Sequence, residues 1–171
     1  MPDVHIRPAT EADAAALLSI YLPFVETSAV SFETVAPTVE EFSARIRKAV
    51  SNWQWLVAEQ TGQCIGYAYG SAHRERAAYR WSVEVSAYVQ PNHHRKGIGG
   101  SLYARLIADL IDRGFCNAYA GITLPNEASI AFHRSAGFDL IGTFRAVGRK
   151  FGKWHDVVWL QRRLRDSPPL E

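Results

Sequence analysis

At 171 residues, with Lys+Arg 19 against Asp+Glu 17, the chain is of single-domain size and too evenly charged to bind nucleic acid through a dense basic surface. Hydrophobic residues at 47%, aromatic at 12% and charged at 21% describe a chain that can build a core, which excludes disorder. Cys64 and Cys116 form no C-x-x-C, no apolar run reaches the ~20 residues of a membrane span, and the first residues lack the parts of a signal peptide, so a reduced, cytoplasmic protein without a membrane partner is expected.

Residues 4–8 read as a first strand. Thr10 then offers a hydroxyl cap, and Ala15, Leu18 and Tyr21 recur at helical spacing until Pro23 disturbs the helix, leaving residues 24–33 as a bent helix or loop. Thr38 and Glu41 make a capping box for a second helix running to about Val50. The period changes to that of strands over residues 55–58 and 64–69, which flank Thr61-Gly62 as a hairpin. A third strand covers 81–89 and stops at Pro91. Between Gly97 and Arg113, Ile98, Leu102, Leu106 and Leu110 form one helical stripe, closed by Gly114. A strand over 116–123, a short helix over 126–136 and a strand pair over 139–147 and 154–164 complete the pattern. One domain over residues 1–165 is expected, with a frayed tail at 166–171. Hairpins beside strand–helix–strand units make it an α/β domain with a mixed sheet.

The chemistry concentrates where the third strand meets the long helix, V-S-A-Y-V-Q-P-N-H-H-R-K-G-I-G-G-S over residues 85–101. A basic, glycine-bearing turn feeding a helix N-terminus presents backbone N–H groups and positive potential, which together seat an anion. Gly97, Gly99 and Gly100 clear the approach, and Arg95 and Lys96 add charge at the rim. No lysine follows the glycines as a Walker loop requires, and Leu102 stands where a dinucleotide fingerprint needs its third glycine. The plain alternative is a turn that only starts a helix. Glu84 lies mid-strand between Val83 and Val85; buried, it would be a base tuned toward neutrality, and on the outward phase it would be a solvated carboxylate. His133, on the short helix, is either a proton relay or a structural histidine. His93 and His94 are adjacent with no third ligand nearby, so no metal is expected.

At these residues the chain resembles the GNAT acetyltransferases. Their coenzyme A signature, [QR]-x-x-G-x-[GA], is matched by His94-Arg95-Lys96-Gly97-Ile98-Gly99 apart from His94 in the first position. The stretch Asn126-Glu127-Ala128-Ser129, then Phe132-His133 and Ala136-Gly137-Phe138, is similar to the family's later block, with His133 in place of a thiolate-protonating tyrosine. Within the family, Phe24-Val25-Glu26-Thr27-Ser28, Arg76-Ala77-Ala78-Tyr79 and the 148–156 segment look like the phosphinothricin and methionine sulfoximine N-acetyltransferases.

The resemblance implies a mixed sheet with splayed central strands and helices on both faces, acetyl-coenzyme A as co-substrate, and direct transfer to an amine without an acyl-enzyme. It implies Glu84 and His133 as the proton-handling pair. Backbone N–H groups of Val85, Ser86 and Ala87, the turn from His94 to Ser101, and Asn126 would hold the coenzyme, although Asn126 could equally be only a helix cap. Arg76 would clamp a substrate carboxylate, and Phe32, Glu33, Tyr79 and Ser82 would line the acceptor side. A homodimer is the implied partner state. Other amines, such as a polyamine or a protein N-terminus, and a non-catalytic coenzyme-binding module are the competing readings.

Overall fold

Runs of β-branched and aromatic residues separate the helical segments, and in the computed structural model, which describes residues 3–169, they assemble into one sheet. The first two residues of the expected domain and the last two of the expected tail lie outside the described residues. In chain order the elements are β1 (Val4–Pro8), α1 (Ala14–Glu26), α2 (Val39–Asn52), β2 (Trp55–Gln60), β3 (Gln63–Ala72), β4 (Ser82–Val89), α3 (Ile98–Asp112), β5 (Asn117–Thr123), α4 (Glu127–Ser135), β6 (Asp139–Lys150) and β7 (Lys153–Arg163). Among the described residues the sheet has seven strands in the order β1-β2-β3-β4-β5-β7-β6. β4 and β5 run parallel, and every other neighbouring pair is antiparallel, so the sheet is mixed as its pattern predicts.

Alternation along each strand sends side chains to opposite faces, and each face has its own cover. Trp55, Val57 and Tyr67 bury one face under α1 and α2. Leu56, Ala68, Val83 and Val85 bury the other under α3, whose stripe of Ile98, Leu102, Leu106 and Leu110 is buried throughout. Among the described residues no helix is long and apolar enough to cross a membrane.

Three local outcomes bear on the site. α1 continues through Pro23 to Glu26, and residues 27–38 are the loop. The proline removes a bond to the carbonyl of Ser19, which lies on the exposed side of the helix where water can take its place. β6 runs three residues beyond its predicted end at Val147 because a bulge at Phe144/Gly148 absorbs Ala146, at φ 46°, whose N–H bonds Asp156 at 2.8 Å. The hairpin then turns at Phe151 and Gly152, both at positive φ. Of the expected tail, Pro169 lies close to Gly114.

The capping box predicted for α2 is formed in both directions: Glu41 N–H donates to Thr38 Oγ1 at 3.2 Å and Thr38 N–H to Glu41 Oε2 at 2.8 Å. Thr38→Ala is expected to cost about 1 kcal/mol and to lower the midpoint of thermal unfolding by about 2–4 °C.

Candidate active site

β4 and β5 stay paired over three rungs, Ser82 with Asn117, Val83 with Ala118 and Glu84 with Tyr119, and then part. Beyond Glu84, β4 remains zipped to β3 as far as Val89, while β5 remains zipped to β7 as far as Thr123. Each strand follows its outer neighbour, and the central pair opens. The edge of β4 at Val85, Ser86 and Ala87 therefore faces a cleft whose far side is Gly121, Thr123, Asn126 and His133. Backbone donors and acceptors freed from a ladder need partners, and an extended ligand with amides can supply them.

At the end of β4 the chain turns through the 3-10 segment Pro91–His93, and His94 Nε2 donates to the Val89 carbonyl at 2.8 Å, tying the turn back to the strand. Arg95 at φ 58° and Gly97 at φ 80° adopt left-handed backbone, and Gly97 is the residue type that accepts this without strain. Ser101 N–H bonds the Gly97 carbonyl at 3.0 Å, so the preceding amides of Ile98, Gly99 and Gly100 have no acceptor within the helix. Gly97 and Gly100 open onto a cavity of about 630 Å³ that reaches Phe132, Ala136 and Arg162 between α3 and α4. Arg95 and Lys96 are exposed beside it.

On the opposite side of the opening, Glu84 lies in the wall of a cavity of about 370 Å³ with Val30, Phe32, Phe144 and Trp159. This cavity and the cleft share Val85, Ser86, Gly121 and Thr123, so a group entering along one meets a group held in the other. Burial pushes the Glu84 carboxyl up from its ordinary value, against the downward pull of a hydrogen bond from His73 and of the nearby Arg74 charge. His73 Nδ1 is 3.0 Å from Glu84 Oε1, and Arg74 Nη1 is 3.5 Å from the same oxygen.

His133 is buried on α4, and both of its nitrogens are engaged. A carbonyl can only accept, so Nδ1 donates to Ser129 O at 2.7 Å; Nε2 is then the bare nitrogen that accepts from Tyr103 Oη at 2.9 Å. Burial pulls the imidazole pKa down, so the neutral ring is the form held at neutral pH. Asn126 Oδ1 accepts from Ser129 N–H at 3.1 Å; the residue thus caps α4 and also lines the cleft.

The predicted acceptor residues divide. Phe32 lines the Glu84 cavity, its ring pressed so closely on Gly148 that a Cβ there would collide with it. Tyr79 contacts the edge of the His73 ring at 5.8 Å. Ser82 pairs with Asn117 at the start of β4 and is not in the cavity wall. Arg76 is exposed at the head of the 3-10 turn Ala77–Tyr79, and the arginine beside Glu84 is Arg74. Glu33 departs from expectation: both its oxygens are taken, by Arg45 and by Tyr21 Oη at 2.6 Å, so it braces α1 against α2 instead of lining the acceptor side. The Arg45 guanidinium holds its carboxyl below the usual range.

Two residues missed in the sequence matter here. His73 sits two positions past Ser71, the β3 partner of Glu84, and hairpin register is the one signal that could have found it. Lys150 is buried at the end of β6, and its Nζ donates to Val25 O at 2.6 Å and Ser31 O at 2.7 Å, pinning the loop that carries Phe32.

A family model for the acetyltransferase (GNAT) domain matches residues 6–159. The chain belongs to the GNAT acetyltransferase family. It is 42% identical over 167 residues to a phosphinothricin N-acetyltransferase of Streptomyces viridochromogenes, covering 97% of this chain and 91% of that one. It is 36% identical over 160 residues to an L-methionine sulfoximine/L-methionine sulfone acetyltransferase of Salmonella typhimurium, covering 93% and 94%. Among solved structures, a GNAT superfamily phosphinothricin acetyltransferase of Sinorhizobium meliloti in complex with AcCoA superposes with a TM-score of 0.91 at 35% identity, covering 98% of this chain and 92% of that one. The mixed sheet is thus the GNAT fold, and its opened central pair lies where the family resemblance predicts it.

Lys150→Met would leave the carbonyls of Val25 and Ser31 without their donor. The expected loss is about 1–3 kcal/mol, read as a lower urea midpoint with unchanged slope.

Proposed function

We propose that this GNAT enzyme transfers an acetyl group from acetyl-coenzyme A to the α-amino group of a small L-amino-acid analogue of the phosphinothricin or methionine sulfoximine/sulfone type. The observation that carries the reading is the parting of β4 and β5 immediately after Glu84, which joins the cleft along the β4 edge to the cavity that holds this carboxylate. The names of the relatives from Streptomyces and Salmonella supply the acceptor class.

The residues fit acetyl-coenzyme A on three counts. The amides of residues 98–100 and the exposed Arg95 and Lys96 suit a pyrophosphate. The free edge of Val85, Ser86 and Ala87 suits the amides of a pantetheine arm. The cavity beyond Gly100 leaves room for the remainder. Acetyl-coenzyme A would supply an activated acyl carbon in a ternary complex, with no acyl-enzyme.

The chain's own groups do the rest. An α-amine arrives as an ammonium without a lone pair, and Glu84 removes its proton, directly or through one water. An N–H of β4 just past Glu84 would donate to the acyl oxygen as charge builds there. The departing thiolate would take its proton from solvent entering the cleft, because His133 spends its Nδ1–H on Ser129 O and accepts at Nε2 from Tyr103, and so braces the cleft wall rather than supplying that proton. Arg74 is drawn to Glu84, which leaves Arg76, exposed in the same loop, to meet the α-carboxylate. The enzyme would work in the cytoplasm, where acetylation silences an amine-bearing toxic compound.

β6 is an edge strand, and the β6–β7 hairpin exposes Leu140, Ile141, Phe144, Val147, Phe151 and Trp154. An apolar face of this kind favours burial against a second copy, so the working unit is proposed to be a homodimer.

Glu84→Gln is expected to lower kcat by about 10²–10⁴-fold while calorimetry finds coenzyme A binding nearly unchanged. In an acetyl-coenzyme A assay read by free thiol release, methionine sulfone should be turned over far faster than spermine. The reverse order would overturn the acceptor class.

A further inference from the structure

We infer that His73 is a positioning residue for this reaction: its Nδ1–H bond holds the Glu84 carboxylate ionised and aimed at the acceptor cavity, and so sets how acidic a solution the enzyme tolerates. The inference rests on reading Glu84 as the base.

An ionised carboxylate can only accept, so the hydrogen in the 3.0 Å contact belongs to His73 Nδ1. The carboxylate needs this donor. Desolvation favours its neutral form, and a protonated Glu84 cannot take a proton from an ammonium. Arg74 stands farther away at 3.5 Å and is about half exposed, so solvent screens its contribution. Through Oε1, His73 fixes the side-chain torsions of Glu84 and leaves Oε2 as the oxygen free to receive the amine proton. In that step the amine N–H breaks and an O–H forms on Glu84. The proton later leaves to solvent.

The ring is held on several sides. It stacks flat on Tyr119 at 4.3 Å and 13° and meets the edges of Tyr79 at 5.8 Å and Trp159 at 6.2 Å. Tyr119 is the β5 partner of Glu84 at the last rung before the strands part, and its hydroxyl is fixed by Gln161 Nε2 at 3.2 Å. The strand pairing that sets the carboxylate thus also sets the imidazole. Titratable and charged groups facing the pair are Arg74 from the same loop, Tyr79 from the 3-10 turn, Tyr119 from β5 and Tyr69 from β3, which feels the Glu84 charge. Among them His73 is the close hydrogen-bond donor to the carboxylate, at 3.0 Å.

The test compares wild type with His73→Phe, which keeps a ring to stack on Tyr119 but loses the donor, and with His73→Asn, whose amide nitrogen can reproduce Nδ1. Acceptor kcat/KM is followed against pH by thiol release, and coenzyme A affinity is measured by calorimetry. Losing the donor raises the Glu84 pKa. The acidic limb of the Phe variant should therefore move upward by about one pH unit, with rates about tenfold lower on that limb and coenzyme A affinity unchanged. His73→Asn should bring the limb most of the way back. A limb that stays in place in His73→Phe, or an Asn variant indistinguishable from Phe, overturns the inference. If the Phe variant loses coenzyme A binding through misfolding, His73→Leu repeats the comparison with the same expectation. Glu84→Gln separates the two levels: full turnover in that variant removes Glu84 as base and the inference with it, whereas loss of turnover beside an unmoved His73→Phe limb removes the inference alone.

Discussion

The site depends on a ladder that stops. β4 and β5 share three rungs and then part, because each has a better-matched partner on its outer side. A parallel pair is slightly less stable per residue than an antiparallel one, so the central parallel pair is where this mixed sheet yields most readily. The residues proposed to carry the chemistry gather at the fork. Glu84 occupies the last rung, the bare edge of Val85 to Ala87 follows it, and the turn that opens α3 lies at the far end of the same strand.

Around the fork the buried polar groups are arranged in pairs. Glu84 leans on His73, and His133 on Tyr103. Burial moves the two groups in opposite directions, the carboxyl up and the imidazole down, in each case favouring the uncharged form, and His73 and Arg74 oppose that shift at Glu84. Lys150 works at longer range. From the end of β6 it ties the loop after α1 and thereby seats Phe32 over Gly148, so one buried ammonium couples the last hairpin to the acceptor wall.

Most of the frame was legible in the sequence because it is written in local patterns. The α2 capping box, the Thr61-Gly62 hairpin turn and the α3 stripe are each set by residues within a few positions of one another, and all are present. The glycine turn was legible for the same reason. What escaped depends on contacts between distant segments. Glu33 looked like an acceptor residue until Arg45, a helix away, claimed it. His73 is eleven positions from Glu84 and meets it only through the β3–β4 register. Lys150 finds its carbonyls 125 and 119 residues upstream. β6 outran its prediction because a bulge at Ala146 lets the strand continue past a break in its alternation.

In the proposed enzyme the opened edge of β4 and the following turn would be one continuous coenzyme seat. Amide hydrogen exchange with and without coenzyme A addresses it residue by residue, since an N–H that gains a ligand acceptor exchanges more slowly. The expected result is slowing confined to Val85–Ala87 and to residues 98–100, with β1 and β2 unaffected. Binding that leaves those amides exchanging at their free rate, or that protects a different edge of the sheet, would rule out a coenzyme seat along β4.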